Sequence, residues 1–512
     1  METFIGLLGP HWYSWSIPGL YLLTALVTVL WRAPEPGWRL ARAASLAALL
    51  LALLVPVSLL FGATPPAALQ LAGTAGLLLV TFLGWVIVHF SAPYLAGEPC
   101  QKRFLSGVLV TLAGAALVSA TDHLAVLALA WSATGLGLQR LLTLYPERPG
   151  ARRAAHKHFV SGRLADVTLV VAVVLVARET GSLSLADLAG AGQTMTAGLT
   201  AAAVLLAITA MIRCALLPLH GWVLQVMEAP TPVSALLHAG VVNLGGLVLI
   251  KMAWLINQAP AAQWLLLLAG GLTTVVAAAT MIAQSNIKVR LAWSTCAQMG
   301  FMLVECALGA WHLALLHLLG HSLYKASAFL SAGGRVARAR RASLSPALSA
   351  APAPALIATL VLAALLVPAL HGLQLLHGGW AVFALISLIA LAPLLTGWGA
   401  RQGGAAPRTG LAAVVVVGLG LAWHLLFGAL LSPLPGGEPT TAQILWVTTL
   451  FTLLLLFQSW LRSGGHHRRL RQTLARGLYL DESINRLPGL GRPLFGKQRP
   501  GTPAWRKQER TS

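Results

Sequence analysis

MIRCALLPLHGWVLQVMEAPTPVSALLHAGVVNLGGLVLIK, residues 211–251, decides how the rest of the chain is read. The stretch lies in a strongly apolar region, yet it carries Arg213, His220, Glu228, His238, Asn243 and Lys251, together with Pro218, Pro230 and Pro232. Charged groups at bilayer depth are costly and face a protein interior or a wet cavity. Proline in such a segment frees backbone groups that neighbours or water must satisfy. The two features together predict a broken helix beside a hydrated pathway. The competing reading is a polar loop dipping between two helices, with Arg213 and Glu228 snorkelling to opposite surfaces.

The flanking sequence is apolar throughout. Of 512 residues, 57% are hydrophobic and 10% charged, and the mean hydropathy is +0.77. Runs of roughly 20 apolar residues recur, the length that crosses a bilayer as a helix. The fold class read from this is an all-α polytopic membrane protein with about 15 transmembrane helices. They are expected near 15–31, 40–61, 70–92, 103–120, 123–144, 158–177, 196–217, 231–256, 263–284, 290–309, 311–332, 353–370, 380–398, 410–431 and 442–461.

Basic residues mark alternate connections. Arg32, Arg39 and Arg42 lie in the first, Lys102 and Arg103 in the third, Arg148, Arg152, Arg153 and Lys157 in the fifth, and Lys288 and Arg290 in the ninth. Arg335, Arg338, Arg340 and Arg341 follow in the eleventh, and many more lie in the tail after Leu461. The even connections are nearly free of them, Arg178 being the main exception. By the positive-inside rule the N-terminus is then outside and the C-terminus cytoplasmic. The net charge of +21 thus reads as topology rather than nucleic-acid binding. No cleavable signal peptide is read at the N-terminus.

Several chemistries have no basis in the sequence. Cys100, Cys214, Cys296 and Cys306 form no CxxC pair and have no metal-ligand spacing. No GxGxxG, P-loop or HExxH occurs. No cofactor or metal is expected in this chain, and no catalysis by it alone.

Polar residues inside other spans are the remaining candidates. Arg163 and Asp166 are three apart, share a helix face and can pair, a structural ion pair in the simpler reading. Glu305, near the outer end of its span, is expected to reach water. In WHLALLHLLGHSLYKASAFLSAGG, residues 311–334, His317, His321 and Lys325 recur every fourth residue and stack on one face. Each step rises ~6 Å, so the row covers ~12 Å of membrane depth. Two imidazoles leading to an amine form a proton relay; the alternative is a polar stripe for helix–helix hydrogen bonds. The later spans lack Asp, Glu, Lys and Arg, and His424 is their one ionisable group. In the tail, Arg468, Arg469, Arg471 and Arg476 are placed to lie on anionic head groups, and LYLDESINRL, residues 478–487, is a candidate partner-docking segment.

LLPLHGWVLQVMEAPTPVSALLHAG (216–240), SNIKVRLAWSTCAQMGFM (285–302) and HLLGHSLYKASAFL (317–330) carry a resemblance. They are similar to motifs of the antiporter-like subunits of respiratory complex I, membrane-bound hydrogenases and Mrp-type Na⁺/H⁺ antiporters, over roughly residues 70–335. The resemblance implies two inverted five-helix repeats, each with a broken helix, and a proton route near the midplane. The expected organisation is N-terminal helices at 1–95, repeats at 96–260 and 261–400, further helices at 401–462 and a basic tail at 463–512. It also implies that Lys325, His321, His317 and His238 carry or bias protons, that Arg213 and Glu228 set the local field, and that Lys251 links the halves. Departures are informative. The family's fifth-span glutamate is Ser132 in AWSATG, and its central lysine is Arg213, which stays protonated. The charged residue of its twelfth span is missing, and so is its long lateral helix.

VLQVMEAPTPVSALLHAGVVN, residues 223–243, is most similar to the membrane subunits of bacterial two-component inorganic-carbon uptake systems. That implies a large peripheral partner with a zinc site like that of a β-carbonic anhydrase, the zinc belonging to the partner. Proton flow through this chain would drive vectorial hydration of CO₂ to bicarbonate there. The alternative function is a proton-pumping antiporter-like subunit of a redox complex, either complex I or a membrane hydrogenase; Ser132 and the missing twelfth-span charge count against it.

Overall fold

The structure is a computed structural model. It describes residues 13–31, 34–60, 68–190, 194–334, 438–462 and 468–484, with Gly192, Arg486 and single positions between 415 and 426. The spans expected at 353–370 and 380–398, and nearly all of 410–431, lie outside the described residues.

The described chain is helical. The helices before the central stretch are α1 (Tyr13–Leu30), α2 (Pro34–Leu60), α3 (Ala68–Tyr94), α4 (Gln101–Ala120), α5 (Leu124–Leu142), α6 (Pro149–Thr180), the short α7 (Leu185–Gly190) and α8 (Ala197–Arg213). Within it are α9 (Gly221–Gln225), α10 (Thr231–Ala239) and α11 (Leu244–Lys251). After it come α12 (Ala253–Asn257), α13 (Pro260–Ile282), α14 (Ile287–Ala307), α15 (Trp311–Leu330), α16 (Thr441–Arg462), α17 (Arg468–Ala475) and α18 (Leu480–Ile484). A lone antiparallel bridge joins His123 to Ser184. Among the described residues, eight helices are long and apolar enough to cross a membrane, counting α10 and α11 as one span from Thr231 to Lys251.

The central stretch is interrupted, and two of the interruptions hold its prolines. Pro218 lies in the turn between α8 and α9. Pro230 is the N-cap of α10 and Pro232 sits in its first turn, where a missing N–H costs nothing. Pro230 and Pro232 thus begin the helix that follows the second gap. A further break falls at Gly240, after which Val241–Asn243 forms a 3₁₀ turn with the Asn243 amide 3.3 Å from the Gly240 carbonyl. A Cβ at Gly240 would lie 2.9 Å from the Leu236 carbonyl oxygen, so the tighter turn needs glycine.

Packing explains why this element is central. Its apolar window is 94% enclosed by protein, against 33% for α6, which turns Val167, Val170 and Val174 outward. Small residues let backbones close around it, the usual device where apolar surface alone gives no drive for helices to associate. Gly107 on α4 lies against Leu141 and Gly137 on α5 against Thr111, while Gly270 on α13 and Gly300 on α14 face each other's carbonyls. Thr274 bonds across to the Ala297 carbonyl at 3.1 Å.

Side-chain contacts gather the basic connections on one face. Arg103 reaches Thr143 (2.8 Å), Arg148 the Glu228 carbonyl (3.0 Å) and Lys288 Thr231 (3.0 Å). The tail folds back onto this face, where Gln284 reaches the Ala475 carbonyl at 3.0 Å. On the opposite face, Lys251 meets Thr121 and Trp311 donates to Asn257.

Candidate functional site

Two buried polar clusters flank the interrupted helix. The first forms where α8 ends. Arg213, the last residue of α8, turns its guanidinium inward onto the Asp166 carboxylate of α6, with side chains only 8% and 14% exposed. The reading in which Arg213 reaches a surface is therefore overturned. Asp166 also pairs with Arg163 at 2.7 Å, as their spacing predicts, and accepts from Ser132 Oγ at 2.8 Å. Helix α5 is shaped for this ion pair. A Cβ at Gly135 would lie 2.6 Å from Arg213 Nη1, and Trp131 lies under the guanidinium with 5.6 Å from ring centre to Cζ. The Ser132 hydroxyl on α5 thus holds a carboxylate supplied by the neighbouring helix.

The second cluster joins α10, α14 and α15. His238 is buried, its Nδ1 3.1 Å from Thr295 Oγ1 and its ring stacked on Phe329 at 4.4 Å and 9°. His321 is buried on α15, which packs along the interrupted helix. Lys325 is fully buried and donates to the Leu291 carbonyl at 2.9 Å. His317 and His321 have ring centres 6.0 Å apart, so the row predicted from four-residue spacing forms. Below the break, Asn243 donates to Ser322 Oγ at 2.6 Å.

Glu305 does not reach water. It is 2% exposed, and its Oε2 lies 2.9 Å from His317 Nδ1. The pairing follows from the turn: α14 ends at Ala307 and α15 starts at Trp311, so the two helices run antiparallel side by side. A lone carboxylate twelve positions before the first histidine was the available signal.

The other named residues lie apart. All three ammonium protons of Lys251 go to carbonyls at the end of α4, those of Val118 (3.0 Å), Ser119 (2.8 Å) and Thr121 (2.7 Å). Lys251 therefore caps that helix, where a cation meets the negative end of the dipole. Glu228 lies on the basic face with its side chain against Gly150 in the first turn of α6. His220 is buried, its Nδ1 3.1 Å from the Pro218 carbonyl, and its ring lies 5.0 Å from Trp293. Sequence reading missed one contact altogether: Asp481 of α18 receives Lys157 (2.6 and 2.8 Å) and Gln225 (2.9 Å). The docking segment expected for a partner is in this structure held by its own chain.

An arginine–carboxylate cluster at one helix end, and a histidine–lysine row packed on an interrupted helix, define an antiporter-like membrane subunit. Residues 121–400 match the family described as NADH:quinone oxidoreductase/Mrp antiporter, TM. The "Probable inorganic carbon transporter subunit DabB" of Hydrogenovibrio crunogenus is 37% identical over 501 residues, 92% of each chain. Its counterpart DabB2 of Halothiobacillus neapolitanus is 35% identical over 534 residues, again 92% of each. Subunit L of NADH-quinone oxidoreductase from Mycobacterium tuberculosis is 35% identical over 260 residues, covering 50% of this chain and 41% of that one. Among solved structures, the Mrp complex of Dietzia sp. aligns with a TM-score of 0.55 at 22% identity, covering 90% of this chain and 51% of that chain. The chain belongs to the antiporter-like family and, within it, to the DabB subunits.

Proposed function

We propose that this chain is the proton-conducting membrane subunit of a two-component inorganic-carbon uptake complex in a bacterial inner membrane. Its basic face is cytoplasmic, in keeping with the alternation of basic connections. A DabA-like peripheral subunit is the partner and bears the zinc at which CO₂ is hydrated. This chain holds no zinc and no cofactor, and its task is energy coupling: proton flow makes hydration vectorial and leaves bicarbonate inside.

The observation that supports this most is the buried row on α15. Lys325, His321 and His317 line one helix face beside His238, and Nε2 of both His317 and His321 is buried without a protein hydrogen-bond partner. Buried polar atoms almost always have partners, so exceptions of this kind mark places where water or a proton is handled. Arg213, paired with Asp166, biases the field from the other cluster and carries no proton itself. Glu228 sets the field at the cytoplasmic face, and Lys251 ties the interrupted helix to α4 within the first repeat rather than linking the halves. The names of the relatives, as subunits of an inorganic carbon transporter, support the cargo and the existence of a partner.

Complementation tests the proposal. The chain is expressed with and without its large partner in a carbonic-anhydrase-deficient bacterium, and growth in air is scored. Growth with both chains only, abolished by an uncoupler, is expected. No growth despite verified expression of both would refute the reading and favour the redox-complex alternative.

A further inference from the structure

We propose that Glu305 is the proton-binding group through which the α15 row exchanges protons with the outer face. The inference rests on the reading of that row as a proton route.

Its geometry points there. Glu305 lies two residues before the end of α14, at the face opposite the basic one, whereas Lys325 bonds to Leu291 near the basic end of the same helix. Glu305, His317, His321 and Lys325 therefore form a line of ionisable groups running along the α14–α15 pair. The Glu305 carboxylate meets His317 Nδ1 at 2.9 Å, while His317 Nε2 has no hydrogen-bond partner among the described residues. A purely structural ion pair has no need of the second, unpartnered ring nitrogen. The arrangement suits transfer across the ring, one nitrogen facing the carboxylate and the other facing the interior. A proton on Glu305 Oε2 passes to His317 Nδ1 as Nε2 releases one toward His321; no other bond changes and no further reactant is required.

Two further observations agree. The pair is walled from lipid by Phe301, whose ring lies 5.6 Å from His317 and 5.2 Å, edge-on, from Phe451 of α16. Apolar walls leave the carboxylate as the polar end of the row. Helix α15 itself carries no Asp or Glu, so the carboxylate on α14 is the acid at the end of its row.

The test uses the complete complex in sealed vesicles, with proton flux read by an internal pH dye under an imposed potential. Glu305→Gln keeps the size and hydrogen bonding of the side chain but carries no proton. Flux is expected to fall about a hundredfold per assembled complex, the lower end of the range for losing one proton-transfer group. Glu305→Asp is expected to restore most of it, a rescue that a packing role would not produce. Lys325→Ala, measured in parallel, separates the two claims. Flux lost in Lys325→Ala but unchanged in Glu305→Gln overturns the role of Glu305 alone. Flux unchanged in both overturns the reading of the row. If Glu305→Gln fails to assemble, the wild-type complex is treated with a hydrophobic carbodiimide. Flux lost in step with modification of Glu305 supports the proposal, and flux that persists after Glu305 is modified overturns it.

Discussion

Replacing Asp166 by leucine is expected to destabilise the protein far more than replacing Arg213 by methionine. The structure sets the asymmetry. Asp166→Leu strands a guanidinium whose side chain is 8% exposed, held between Trp131 and Gly135 with no other carboxylate paired to it among the described residues. Removing one partner of a buried ion pair costs about 3–5 kcal/mol. Arg213→Met leaves Asp166 with Ser132 and with Arg163. Arg163 is 37% exposed, so that second ion pair is worth about 0–1 kcal/mol. The retained partners limit the loss to about 1–3 kcal/mol. Replacing both members exchanges the pair for apolar packing, which is often near neutral, so the double variant is expected within about 2 kcal/mol of wild type. The coupling between the positions is then about 2 kcal/mol or more. Unfolding in mixed detergent micelles, followed by tryptophan fluorescence and checked for reversibility, measures all four corners of the cycle. Additivity within about 0.5 kcal/mol would refute the reasoning, because independent sites behave that way.

Four further outcomes are expected. Lys325→Ala abolishes coupled carbon uptake while the two-chain complex still purifies intact; uptake at the wild-type rate would remove Lys325 from the route. Gly135→Ala puts a methyl where Arg213 Nη1 now lies 2.6 Å from that point, costing about 1–3 kcal/mol on the same unfolding assay. Asp481→Asn weakens the contact with Lys157 and Gln225, and loss of about 1.5–3 kcal/mol of charged hydrogen bonding raises exchange of the Leu480–Ile484 amides by roughly ten- to a hundredfold. Cys100 lies outside the spans, where partial burial and the nearby Glu98 carboxylate hold its thiol above the usual range. Its alkylation rate should therefore still be climbing with pH beyond pH 9, and a plateau below pH 8 would contradict the raised value.

Much of this was legible from residue type and period. Apolar runs gave the helices, and four-residue spacing gave the face shared by His317, His321 and Lys325. The three-residue spacing of Arg163 and Asp166 gave their pairing. What escaped depended on contacts between distant segments. Ser132 is an unremarkable small residue until α6 brings Asp166 beside it. Glu305 looked like a surface carboxylate because its neighbour on α15 is twelve residues away and reached only after the helix turns back. Lys251 read as part of a charge chain, since nothing in the sequence near it shows that three carbonyls at the end of α4 converge on its ammonium. The prolines marked the interruptions after α8 and before α10, but the one at Gly240 has no proline to announce it.

The bond between Lys157 and Asp481 has a consequence for biogenesis. The two residues are 324 positions apart, and Gln225, which shares the carboxylate, is 256 positions from it. During synthesis, the middle of the protein is made and inserted long before its counter-ion exists. Until the ribosome has released residue 481, the Lys157 ammonium must remain hydrated, so this corner of the structure closes last. A nascent chain stalled short of that point would hold its spans in the bilayer while leaving water at the foot of α6 and α9.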